Sequence, residues 1–198
     1  GFTGLAAWLQ KVEKVWKEKR GEKSARMSVY QWLDYQRKLT SQTPSKKFKV
    51  LYNVSGTYLV SNVVRNSPVE VFVWDTKFKI NGIIADWTTI WYETDDENEA
   101  YYLCTIFNSP ILDEQLKPMQ AKGAFGERHI VKKPLEFQIP KFDAKNEAHK
   151  QLADLGKACS QRVAKILPGL ASKYDSVGVI RREIKKLLKD ELVEIDKL

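Results

Sequence analysis

The chain is poor in the residues that build thiol and metal chemistry: two cysteines and two histidines in 198 residues. Cys104 and Cys159 are 55 positions apart by subtraction, each in a segment with helical apolar spacing. They read as buried, reduced thiols rather than a disulfide framework. His129 has no cysteine or second histidine near it, so the spacing of a zinc site is not met. No apolar run approaches the ~20 residues of a membrane helix, which excludes a membrane partner through such a span. The opening Gly1-Phe2-Thr3-Gly4 soon turns charged, without the apolar core of a secretory signal, and a cytoplasmic location is expected. The missing initiating methionine is read as the mark of a fragment of something longer. Asn53-Val54-Ser55 has the form of a glycosylation sequon, taken as chance in the absence of such a signal. There is no internal repeat and no low-complexity tract.

What the chain has is positive charge and aromatic residues. Lys and Arg total 33 against 25 Asp and Glu, a net charge of +8. Six Trp, eight Tyr and eight Phe supply a core. The excess charge favours a polyanion, chiefly nucleic acid; surface lysines that only keep the protein dissolved are the alternative.

Residues 1–45 are expected to be helical and to link to a preceding domain. Leu5, Trp8, Leu9, Val12, Val15 and Trp16 share one stripe of a helix ended by Gly21, and the stripe reads as a packing face. A second helix starts at Ser28 with Val29, Trp32 and Leu33 inward. Thr40 to Ser45 reads as a linker. From Lys46 the apolar period becomes two. Segments at 48–52, 58–64, 69–74, 78–84 and 89–92 are expected to form a twisted, mainly antiparallel sheet. Helices at 94–118 pack on it, within a domain spanning 46–143. A C-terminal helical pair, 144–198, completes an α+β protein. One of its helices is ended by Pro168-Gly169 and the other starts near Ser176.

Residues 94–140 organise the rest. Thr94 and Glu97 have capping-box spacing. Ala100, Leu103, Ile106 and Phe107 follow on one helical face. Ser109-Pro110 stops that helix and starts another turn. Beyond Pro118 lies a polar loop with two glycines, Gln120 to His129. Leu135, Phe137 and Ile139 then alternate as in a short strand. The run Tyr101-Tyr102-Leu103, then Ile106-Phe107-Asn108-Ser109, the Gly-containing loop and Phe137-Gln138-Ile139-Pro140 resembles target-recognition domains of DNA restriction–modification proteins. These include type I specificity subunits and the C-terminal regions of adenine-specific methyltransferases with fused endonucleases. The resemblance covers about residues 46–198. It implies sequence-specific recognition of double-stranded DNA, with a separate methyltransferase catalytic domain or subunit as partner. S-adenosylmethionine is expected only on that missing part, and no cofactor here.

The chemistry in the residues agrees with a missing catalytic half. An adenine methyltransferase needs an Asn/Asp-Pro-Pro-Tyr/Phe motif to hold the flipped base, and the chain has no Pro-Pro. Gly123-Ala124-Phe125-Gly126 follows a helix and precedes an expected strand, the wrong context for a cofactor loop. Asp75-Thr76-Lys77 has the Asp-x-Lys shape of metal-dependent nucleases, and Glu70 is the nearest candidate second acid. For base reading, the loop offers Gln120, Lys122, Arg128 and His129, followed by Lys132 and Lys133. Gly123 and Gly126 let backbone approach phosphates. Alternatively Phe125 plugs the core and Arg128 pairs with Glu127. Lys46, Lys47, Lys49 and Arg65 form a second basic group at the sheet's entrance, either holding phosphates or guarding an edge. Arg181, Arg182, Lys185, Lys186 and Lys189 read as the polar face of their helix, with contact to the DNA backbone or to a catalytic domain as the alternative, and His149 reads as exposed. A rival function is protein docking through Leu187 and Leu192.

Overall fold

The computed structural model describes residues 2–198 apart from Trp74, Ala124, Phe125 and Arg128, with the backbone alone for Lys122, Gly123, Gly126 and Glu127. The chain divides into two units, Gly1–Thr43 and Pro44–Leu198. The first holds α1 (Thr3–Lys19) and α2 (Val29–Leu33). Ser28 accepts from the Gln31 backbone and Gln31 returns the bond, a complete capping box. Trp16 anchors α1: its ring lies 4.9 Å from that of Trp32, and its Nε1 donates to the Met27 carbonyl at 3.2 Å. Leu5, Trp8 and Val15 stay about half exposed, so the expected packing stripe is buried only in part.

The second unit is α+β. β1 (Phe48–Asn53) is the central strand of a three-stranded antiparallel sheet, between β2 (Ser61–Arg65) and β5 (Thr89–Thr94). Phe48, Val50 and Tyr52 alternate onto one face of β1 and are buried. α3 (Glu97–Asn108) covers that face with Ala100, Cys104 and Phe107, spaced for one side of a helix. Leu112 and Leu116 of α4 (Pro110–Leu116) join the same core, as does Ile130. The opposite side of α3 receives α5 (Glu147–Lys173): Tyr102 packs with Leu152, Ala153 and Ile195. α3 is therefore a middle layer, apolar on two sides. The helices of 144–198 pack within this unit.

Several expectations are corrected. The single sheet over 46–92 is divided, because β3 (Val69–Val73) and β4 (Thr76–Ile80) pair only with each other among the described residues. Thr94 does not cap α3. Asp96 does, accepting from the Asn98 and Glu99 amides, while the Thr94 hydroxyl bonds Glu99. The alternating residues before Pro140 form no strand; a 3-10 turn, Lys133–Glu136, leads into irregular chain that the Tyr102 hydroxyl fastens by donating to the Pro140 carbonyl at 2.9 Å. α5 runs through Pro168 to Lys173. The last helix breaks at Leu188 into α6 (Val177–Leu187) and α7 (Lys189–Ile195), making the C-terminal pair three helices. His149 is half-buried: its ring centroid lies 4.6 Å from that of Tyr102, and its Nδ1 accepts from the Asp143 amide.

Candidate nucleic-acid interface

The loop after α4 is tied to the sheet by backbone. The Val54 carbonyl accepts from the Ile130 and Val131 amides at 3.0 and 2.8 Å, and Ser55 bridges His129. Ile130 is fully buried and Pro134 nearly so, two apolar pegs on either side of a basic surface. Between them Val131 has φ 44°. That left-handed conformation is unfavourable for a β-branched residue and persists only where the surroundings enforce it. β6 (Lys122–Gly123) and β7 (Gly126–Glu127) pair as a minimal hairpin.

Among the residues expected to meet DNA, His129 and Lys132 are exposed and Lys133 is half-exposed. Gln120 is not available for base reading. It is 6% exposed and its Nε2 donates to the Gly56 carbonyl at 3.3 Å, making it a strut between two loops. Gly123 and Gly126 supply the hairpin's inner pair, whereas the Lys122 side chain and the alternatives for Arg128 and Phe125 lie outside the described residues.

The facing loop, 53–60, is braced by side chains whose role the sequence reading missed. The Asn53 amide donates to the carbonyls of Ser55 and Tyr58 at 2.9 and 3.0 Å and accepts from the Val60 amide at 2.9 Å. This is the sequon asparagine, with its amide committed inside its own loop. Asp113 accepts from the Leu59 amide and Asn108 from the Ser61 amide, both at 3.0 Å. Gly56 has φ 145°, and a Cβ there would stand 2.9 Å from the Asn53 Nδ2.

At the sheet's entrance the expected phosphate-holding group is largely neutralised from within. Lys46 reaches Asp95 at 2.6 Å, Lys49 reaches Glu93 at 2.9 Å, and Arg65 reaches Glu97 at 2.9 Å. Lys157 joins the same Glu97 at 2.6 Å. Lys49 is fully buried and cannot touch a polyanion. Lys47 alone of the group remains exposed without a salt bridge among the described residues. Lys46 and Arg65 are thus paired with the acidic turn from Glu93 to Glu97, and their side chains stay 41% and 65% exposed.

Lys77 lies 2.7 Å from Glu70 on the β3–β4 hairpin, so lysine and second acid are joined to each other. Among the described residues no group of three potential metal ligands occurs, and no helix is long and apolar enough to cross a membrane. Leu192 packs against the α3–α5 core, whereas Leu187 is 44% exposed. Comparison with protein-family models, with curated proteins and with solved structures finds no match.

Proposed function

We propose that this chain is a DNA-recognition module: the sequence-specific, double-stranded-DNA-binding part of a restriction–modification or adenine-specific methyltransferase system. Bond-making belongs to a separate methyltransferase catalytic domain or subunit, and the setting is the cytoplasm. The observation that carries the reading is the basic loop fixed to the sheet through Val54. It offers His129, Lys132 and Lys133 from a backbone held by buried Ile130 and Pro134. Pre-ordered cations and donors lose less conformational freedom on binding than mobile ones. The net charge of +8 adds long-range attraction to a duplex.

The test is fluorescence anisotropy of the full chain on duplex DNA across a salt series. Binding should weaken with salt, with a log–log slope of about 0.9 per phosphate contact. Replacing Lys132 and Lys133 with Ala should weaken binding to every duplex alike, as phosphate contacts do. His129→Ala should alter preference among sequences. Absence of salt-dependent duplex binding would falsify the proposal.

A further inference from the structure

The basic cluster of the last helices is partly drawn out of the plain polar face expected for it. Arg181 and Lys185, one turn apart on α6, both reach the exposed ring of Tyr58. The Arg181 guanidinium carbon lies 5.4 Å from the ring centroid and the Lys185 Nζ 4.9 Å. Lys117, following α4, brings a third cation to 5.4 Å. Two segments far apart in sequence, the end of α4 and α6, thus place three positive charges around one aromatic ring of a third. Lys117 is balanced in part by Asp113, at 3.4 Å. Arg181 and Lys185 make no salt bridge among the described residues.

The ring's attraction for cations draws them together. Like charges at this range repel, and at a half-exposed surface an anion can enter to relieve them. With three cations this close, little of the ring face is left for a base to stack on, so the arrangement does not suit single-stranded stacking. It suits the oxygens of a phosphodiester backbone, which guanidinium and ammonium donors bind well. Position gives the same partner. Tyr58 lies in the braced 53–60 loop, whose Val54, Ser55 and Gly56 hold the His129 and Gln120 segments.

We propose that Tyr58, Lys117, Arg181 and Lys185 form a phosphate cradle for the backbone of duplex DNA beside the His129–Lys133 loop. The inference rests on the DNA-recognition reading above. Tyr58 is the spacer that fixes the cations, and α6 becomes part of the binding face.

The experiment compares the full chain with Arg181→Gln/Lys185→Gln and with Lys132→Gln on one duplex across a salt series, with thermal melting of each protein. The cradle predicts that the double variant lowers the salt slope by about one to two phosphate contacts, ~0.9 each, at an unchanged melting temperature. Tyr58→Phe, which keeps the ring, should bind as wild type does. An unchanged slope in the double variant, with wild type and Lys132→Gln differing, overturns the cradle and leaves the DNA reading standing. A fall in melting temperature with no change in slope makes the cluster a clamp for α6 and also overturns it. A wild-type chain that binds no duplex removes both.

Discussion

Lys49 and Glu93 sit directly opposite each other on neighbouring strands of the three-stranded sheet, Nζ to Oε1 2.9 Å, with the lysine side chain fully buried. Facing positions on an antiparallel pair are close enough for such a bond. Here the strand that carries the core also carries an ion on its other face. A charge removed from water is costly unless its partner stays with it. Lys49→Met should therefore destabilise the protein by about 3–5 kcal/mol, by removing a buried ion-pair partner of the Glu93 carboxylate. Lys49→Met/Glu93→Leu should recover most of that loss. Urea unfolding of the three proteins is the measurement. Equal stabilities for the single and double variants would mean that the pair is not coupled.

A second close approach fixes α5 on α3. A Cβ added at Gly156 would overlap the Thr105 hydroxyl and stand 3.0 Å from the Tyr101 carbonyl. Thr105 already uses the hydroxyl, within 2.7 Å of the Tyr101 carbonyl and 3.0 Å of the Leu152 carbonyl. On an isolated helix, Ala in place of Gly stabilises by about 1 kcal/mol. In the folded protein the sign should reverse, because overpacking costs about 1–3 kcal/mol. Gly156→Ala is expected to lower the unfolding free energy, and adding Thr105→Ala to restore part of it. A stabilised Gly156→Ala would show that the helices do not touch there in solution.

The parts legible in the sequence are those set by local chemistry. Ser28 starts α2, and Ser109-Pro110 starts α4 with the serine accepting from the Leu112 amide. Asn146 caps α5 and Ser176 precedes α6. The first three rest on side-chain bonds within one turn, whereas the Ser176 side chain makes no such bond among the described residues. The α+β class was legible too, because period two and period 3.6 occupy separate stretches. What escaped is decided by a competing neighbour or by distant partners. Thr94 and Glu97 have the right spacing, but Asp96 lies nearer the free amides and competes. Pro168 lacks an amide proton and is expected to end a helix, yet α5 continues past it to Lys173. The site divides in the same way. The basic, glycine-bearing loop was visible in composition, whereas the burial of Gln120 and the neutralisation of Lys46 and Arg65 depend on loops that pack from elsewhere. Tyr58 carried no sequence signal, since its three cations come from positions 59 to 127 residues away by subtraction.

The entrance to the sheet should impose a pH dependence at both ends of the scale. Asp95 is held below the usual carboxylate range, first by the bond from Lys46 and then by that from the Lys47 amide. Lys46 is raised above its usual value by the same carboxylate. A lowered carboxylate stabilises the fold fully above its unfolded pKa of about 3.9, and the contribution is lost as pH falls through the lower folded value. A raised lysine contributes fully below its unfolded pKa of about 10.4, and the contribution is lost as pH rises through the higher folded value. The difference in melting temperature between wild type and Asp95→Asn should therefore be flat across neutral pH and shrink at both extremes. Both side chains are about half exposed, at 41% and 50%, so the difference should be small and should decline further with added salt. Melting curves from acid to alkaline pH, at low and high salt, check it. A difference that grows as pH falls below the carboxylate range would have the wrong sign and would sink the assignment of Asp95 as the partner of Lys46.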